Sequence, residues 1–538
     1  MKTCPIKLDE KIPAQIRKIM GWAVNIMKGG AVRARTFAVL TDCARQSSAV
    51  PHLVKVPSLP LFGSTVAAIS GSPKSGLRRM RSFWKEMHEK YGSFYSYGFP
   101  GLGKGLHGTA YVIDDPHEML KVLKMEGTYP SGIIEGFWPL STWAKRRGYR
   151  VAEFYGRGEG WKRYRSFLQK DLLAPQAARE YLPAILEGAQ RASAKAPTDG
   201  SDFNRYLNRC ALDMFGMVLF GNYRNDTTAD EYELFCQSAV YSLSETMKLK
   251  RTPHFIVAMN LGIPTERINR LYKNLDIILD IGSRRITNFR KRYEEGSLDE
   301  KERVSYLARA IERQRESDLS EDEAVYVCTL LLLAAVDTTA ANIGWTILQL
   351  GIHREIQDQL YRELDTAVQK EGELNASVFE KSKTPLLQAV IRETHRVTPT
   401  ILFNIVKEVS HSSVSIHGVE LPSGSVVIFD SFNPQLNPDL VDDPSEFRPE
   451  RWFPDAVEAR KGTQKEVIDH PLFSAPFSQG ARRCPGSRVA NLETQAMVAQ
   501  MILDWKFILP EGLKVDDVEY AFETTLIPSW PELRLEQR

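Results

Sequence analysis

The stretch that begins at Ser320 constrains the fold more than any other. Ser320 and Glu323 have the spacing of a capping box, in which a hydroxyl and a carboxylate satisfy free N–H groups at a helix start. The about thirty residues that follow read as one long helix with an almost wholly apolar centre, Cys328 through Val336. A helix that is apolar on every side has to be enclosed by other elements. Further stretches of 3.6-residue period lie at 177–195, 203–220, 228–247, 265–293 and 352–370, and 487–503 reads as an amphipathic helix. Only two regions read as β. One is a hairpin from Ser93 to Ile113 around a Gly-rich connection; the other is 403–429, where short runs are broken by Gly418 and Pro422. The expected fold class is mostly α with a minor β region, without internal repeats.

Composition narrows the class of protein. Hydrophobic content of 43% with 25% charged residues is that of a globular chain, and a net charge of +3 argues against a nucleic-acid partner. The six cysteines, at 4, 43, 210, 236, 328 and 484, have no paired or CxxC spacing, which points to a reducing compartment and no zinc site. Within residues 1–50, nine Lys or Arg stand against three acids, and Ile16, Ile19, Met20, Val24 and Met27 recur at helical spacing. That is a basic amphipathic leader, of the kind that serves as a mitochondrial transit peptide or lies at a membrane surface; it is too short in apolar run for a span. The Pro-rich run Val56–Gly63 reads as a linker, so that a single domain is expected over 55–538.

One cysteine has a chemical context. In Phe477-Ser478-Gln479-Gly480-Ala481-Arg482-Arg483-Cys484-Pro485-Gly486, two glycines six apart allow a tight loop whose backbone can approach a flat cofactor. Pro485 suits the first position of the helix that follows, which puts Cys484 at the positive end of that helix, where a thiolate is favoured. Arg482 could meet a cofactor carboxylate. This Phe-x-x-Gly-x-Arg-x-Cys-x-Gly pattern resembles the haem-binding loop of the cytochrome P450 family. The resemblance implies the P450 fold, haem b as cofactor, Cys484 as the iron ligand, and Phe477, Gly480, Arg482 and Gly486 as cofactor-binding residues.

Other motifs resemble the same family. Ala334-Ala335-Val336-Asp337-Thr338-Thr339 sets an acid beside an alcohol within an apolar helix and is similar to its oxygen-activation motif, implying catalytic roles for Thr338, as a hydrogen-bond partner of dioxygen, and Asp337, in proton delivery. Family members usually carry Gly where Ala335 stands. Trp161 and Arg165, four apart after Gly158 and Gly160, resemble an element that contacts a haem propionate. Glu393 and Arg396, followed by Arg451 in Phe-Arg-Pro-Glu-Arg-Trp, resemble its structural triad.

Glu126-Gly127-Thr128-Tyr129-Pro130, Gly160-Trp161-Lys162 and Leu172-Leu173-Ala174-Pro175 resemble the mitochondrial branch. That implies electrons from a ferredoxin, the alternative being a diflavin reductase. Arg392, Arg483 and Arg488 are candidate contacts for the donor. The branch implies a mitochondrial, peripheral inner-membrane location, the alternative being the endoplasmic reticulum. The apolar connection 254–264 suggests a membrane-dipping entrance. The 130–155 loop, Ala334, Thr400 to Phe403 and Thr524 to Ile527 are expected to face an apolar, sterol-like or steroid-like substrate. The expected activity is a haem-dependent monooxygenase using O2, with an isomerase or lyase acting on a peroxide, or a non-catalytic haem sensor or carrier, as the alternatives.

Overall fold

The computed structural model describes residues 53–56, 78–100, 107–130, 139–149, 156, 158–222, 228–250, 258–259, 262–401, 406–410, 412–522 and 525–538. The leader, the linker after Val56, most of the 254–264 connection, Phe403 and Thr524 lie outside them.

The helix Glu321–Ile352 starts on the capping box: Ser320 Oγ accepts the Glu323 N–H at 3.2 Å and the Glu323 carboxylate accepts the Ser320 N–H at 2.8 Å. It is the core element, with Val327, Val336, Ile343, Ile347 and Leu350 all closed to solvent. Helices Phe203–Phe220, Glu266–Glu294 and Ser487–Asp504 pack against it, each through a face of large apolar side chains that leaves water on packing. It is the one described helix long and apolar enough to cross a membrane, and most of that apolar window is buried inside the fold.

Two expectations need correction. The 177–195 stretch is two helices, Pro175–Glu180 and Leu182–Ser193, separated at Tyr181. Pro183 has no N–H to continue the first helix and is instead accommodated in the opening turn of the second. Pro485 does not open the last long helix, which begins at Ser487 with Gly486 as its N-cap; the proline lies in the turn before it.

The β part is small. Strands β1 (Val54–Lys55), β2 (Phe94–Pro100), β3 (His107–Ile113), β4 (Val406–Glu408) and β7 (Val426–Phe429) form one sheet in the order β1-β2-β3-β7-β4. The expected hairpin pairs Phe94 with Ile113 and Pro100 with His107. β5 (Val414–Ile416) and β6 (Val419–Leu421) make a separate hairpin. Two further pairs close the C-terminal tail: β8 (Trp505–Ile508) with β11 (Arg534–Gln537), and β9 (Tyr520–Phe522) with β10 (Leu526–Pro528). β4 and the helix Pro385–Val397 lie in the segments that support the cysteine loop.

Candidate active site

The loop around Cys484 is a series of tight turns. Ser478 N–H donates to Ala475 O at 2.8 Å, Arg483 N–H to Gly480 O at 3.1 Å, and Cys484 N–H to Phe477 O at 2.9 Å. Gly480 uses its conformational freedom, at φ +83°, to make the reversal that brings Cys484 back to Phe477. Gly486 has an ordinary φ of −82°. What its lack of a side chain provides is room, since a Cβ there would lie 4.0 Å from the sulfur. Burial pushes the Cys484 thiol up, while the Gly486 N–H and the Arg165 and Arg483 guanidinium groups pull it down. On balance burial wins, so ionisation of the sulfur calls for a compensating cation beside it.

The Glu321–Ile352 helix packs against the helix that follows this loop. It meets the Ser487–Asp504 helix where Thr339 Oγ1 lies 3.4 Å from Glu493 Oε2 and Asn342 Nδ2 donates to Thr494 Oγ1 at 3.0 Å. Back from that contact, toward the helix starts, one helix carries Cys484 just ahead of its first turn. The other shows a stripe that is not buried: Leu330, Leu331, Ala334, Ala335 and Thr338. The apolar centre is therefore not enclosed on all sides as its composition suggests. Asp337 is buried and accepts the Thr525 hydroxyl at 2.7 Å. Thr338 donates to the carbonyl of Ala334 at 3.0 Å, which leaves its oxygen able to accept. Burial raises the Glu493 carboxyl to about 8, so it is mostly protonated at neutral pH.

Trp161 and Arg165 share the buried face of helix Gly158–Leu173. Arg165 donates to Gln169 Oε1 at 2.9 Å and to the carbonyl of Arg483 at 2.5 Å, and burial lowers it to about 10 even though the Cys484 sulfur favours its charge. Arg482 stacks on the Trp161 ring at 4.3 Å and donates to the carbonyls of Pro130 and Gly156. The three side chains thus gather on one side of the cysteine loop.

Glu393 is fully buried among donors. Arg396 Nε and Nη2 reach it at 2.9 and 2.8 Å, Arg451 Nε at 2.9 Å, the Trp452 indole at 2.8 Å and the Arg448 N–H at 2.9 Å. Arg396 also donates to the carbonyls of Gln435, Pro444 and Glu446. The helix Pro385–Val397 is thereby fastened to the chain on both sides of Arg451.

A cytochrome P450 family profile matches residues 55–532 of the chain. The chain belongs to the cytochrome P450 family. Among its relatives, a mitochondrial 25-hydroxyvitamin D-1 alpha hydroxylase of Rattus norvegicus is 25% identical over 91% of this chain and 98% of the relative. A mitochondrial sterol 26-hydroxylase of Mus musculus is 24% identical over 76% of each chain. The mitochondrial cytochrome P450 11B of Aquarana catesbeiana is 24% identical over 80% of each. This P450 is accordingly a monooxygenase, and its cofactor is haem b. The residues present fit that group: a sulfur flanked by cations, two arginines and an indole beside it, and an accessible apolar stripe on the helix that packs against the one Cys484 precedes.

Glu493 of this P450 escaped the sequence: it carries no motif, and its approach to Thr339 arises only when distant segments pack. Thr525, in the stretch Thr524 to Ile527 expected to face the substrate, is instead buried with its hydroxyl on Asp337, because the tail packs it onto the central helix. Of the candidate donor contacts, Arg488 is exposed, Arg483 donates to Ser487 Oγ at 3.2 Å, and Arg392 lies over the Trp452 ring at 3.9 Å while pairing with Asp469 at 3.4 Å. Asp115, Glu118 and His417 bring possible metal-ligand atoms within 4.8 Å of one another. There Asp115 caps the helix Pro116–Lys124 and Glu118 pairs with Lys121 at 2.7 Å, which accounts for both carboxylates.

Proposed function

We propose that this P450 hydroxylates a lipophilic, sterol-like molecule with electrons from a ferredoxin, at the mitochondrial inner membrane. The observation that carries the reading is the pairing of two helices at Thr339 and Glu493, one leading back to Cys484 and the other to Asp337 and Thr338 beside an apolar, accessible stripe. The relatives named for sterol and secosteroid hydroxylation, and the basic leader, support the substrate class and the location.

Haem b held by a thiolate supplies activation of dioxygen and insertion of one of its atoms into a C–H bond. In this reading Cys484 ligates the iron, and Arg165 and Arg483 favour its ionised form. Phe477, Gly480 and Gly486 shape the loop, while Trp161, Arg165 and Arg482 bind and orient the cofactor carboxylates. Thr338 would offer its hydroxyl to dioxygen. Asp337 holds a proton at its carboxylate, with Thr525 fixing the orientation, and passes it inward. Leu330, Leu331 and Ala334 exclude water and receive the apolar substrate. Glu393, Arg396 and Arg451 hold the fold behind the loop.

The test is the reduced carbon-monoxide difference spectrum of the protein beside Cys484→Ala. A strongly red-shifted Soret band lost in the variant is expected; its absence in folded wild type overturns the reading. Turnover of a sterol panel with a ferredoxin and its reductase, against a diflavin reductase, then decides the donor and substrate. Product carrying one added oxygen only in the ferredoxin reaction is expected.

A further inference from the structure

Glu126 and Lys407 form an ion pair deep in the protein, at 2.8 Å, with both residues 4% exposed. Glu126 follows the helix Pro116–Lys124, and Lys407 is the middle residue of β4. Two charges are costly to remove from water, so a pair this deep needs further partners. The partners found here belong to the cysteine loop. Lys407 Nζ donates at 2.7 Å to the carbonyl of Gln479. At the next residue of the same turn, the Glu126 carboxylate packs against the α-carbon of Gly480: a methyl there would overlap Oε2 and lie 3.1 Å from Cδ.

The pair therefore holds both Gln479 and Gly480, one by a hydrogen bond and the other by close packing. Those residues form the turn whose carbonyl accepts the Arg483 N–H and which brings Cys484 under Phe477. A displaced carbonyl at Gln479 would rotate the peptide that leads into Gly480, and the sulfur stands four residues further along the same set of turns. Groups that fix the orientation of a metal ligand tune it without touching the metal.

We propose that Glu126 and Lys407 are positioning residues that clamp the Gln479–Gly480 turn and so hold Cys484 in the geometry a thiolate ligand requires. This rests on the reading of Cys484 as the haem ligand. The clamp joins three remote segments, around residues 126, 407 and 479, and its two side chains meet the turn at adjacent residues, Gln479 and Gly480.

The test replaces both charges at once, with Glu126→Gln and Lys407→Met, because removing a buried pair together is often tolerated where removing one partner is not. The holoproteins are compared in the reduced carbon-monoxide spectrum, in the rate at which the red-shifted band converts to the shorter-wavelength, thiol-ligated form in mild denaturant, and in midpoint potential. The double variant is expected to melt near the wild-type temperature yet to convert on the order of 10- to 100-fold faster, with a shifted potential. Lys407→Arg, which keeps charge and donors, is expected to retain the wild-type rate. A wild-type conversion rate and potential in the folded double variant overturn the proposal. If the double variant does not fold, Glu126→Asp decides, because it keeps the charge and withdraws it by one carbon from Gly480. Faster conversion at unchanged melting temperature supports the clamp, and wild-type conversion overturns it. Wild type without a red-shifted band that Cys484→Ala abolishes would instead overturn the ligand assignment, a separate outcome.

Discussion

Thr525 donates its hydroxyl to Asp337 Oδ2 at 2.7 Å across 188 residues of sequence, and both residues are buried. The C-terminal β9/β10 pair is thereby fixed beside the acid of the central helix, and the acid is given a preferred orientation. A hydrogen bond of this kind contributes about 0.5–1.5 kcal/mol to holding the arrangement.

Thr525→Val keeps the shape and removes the donor, so Asp337 loses the partner that orients it. Product formation is expected to fall several-fold while NADPH consumption falls less, read as a lower product-to-NADPH ratio. Asp337→Asn removes the acid and is expected to slow product formation by about 10²- to 10⁴-fold. A Thr525→Val enzyme with wild-type rate and coupling would sever the link between the tail and proton delivery.

Glu393→Gln leaves the buried Arg396 and Arg451 facing a neutral acceptor. Breaking one side of a buried ionic group costs about 3–5 kcal/mol, and here the same carboxylate also serves the Trp452 indole and the Arg448 N–H. The variant is expected to accumulate mostly as aggregated or haem-free protein, measured as haem per chain and as melting temperature. Full haem content at the wild-type melting temperature would count against the role given to this cluster.

Where the sequence spoke clearly, short-range physics was responsible. The capping box at Ser320 and Glu323 needs only local geometry, and it stands where expected. The hairpin of β2 and β3 needs one reversal of the chain. What stayed hidden depends on packing across long separations. The β8/β11 pair joins Trp505 to Gln537 through strands of four residues, too short to show a period. Glu126 read as part of a branch-like motif, and only the fold shows its carboxylate against Gly480. The stripe at Ala334 and Thr338 was disguised for another reason. Its residues are as apolar as the buried flanks, so composition could not tell a wall facing a cavity from a wall facing a helix. Pro485 was misplaced because a proline at a helix start and one in the preceding turn satisfy the same rule on missing N–H groups.

Ala335 lies on that accessible stripe, where a methyl occupies groove space next to Thr338. Ala335→Gly is expected to widen the groove and to cost about 1 kcal/mol through lower helix propensity. The measurements are a thermal melt and the ratio of product to NADPH consumed. A changed ratio with a small drop in melting temperature is expected. An unchanged ratio would show that the methyl does not bear on how turnover is coupled.

His395 sets the response to acid. It is buried, its ring lies edge-on to Phe477 of the cysteine loop at 6.1 Å, and burial lowers it from 6.5 to about 4. Among the described residues neither ring nitrogen has a hydrogen-bond partner, and it borders a cavity of about 10 Å³ where Thr400 Oγ1 and Gln435 Oε1 are likewise unpartnered. That is room for one water with several polar neighbours. Between pH 6.5 and 4 the unfolded chain binds a proton here that the folded chain does not, so stability falls on acidification, by about 1.4 kcal/mol per pH unit and about 3 kcal/mol over the window. Glu493 and Asp114, both raised to about 8 mainly by burial, act in the opposite sense. The folded chain holds their protons up to that pH, so their contribution is lost as pH rises from the ordinary carboxylate range toward 8. His395→Leu is expected to flatten the acid limb of stability between pH 6.5 and 4 and to leave the alkaline side unchanged, whereas Glu493→Gln is expected to alter the side above pH 5. Denaturant melts across pH check both. A His395→Leu protein that loses stability in acid as steeply as wild type would place the sensitive group elsewhere.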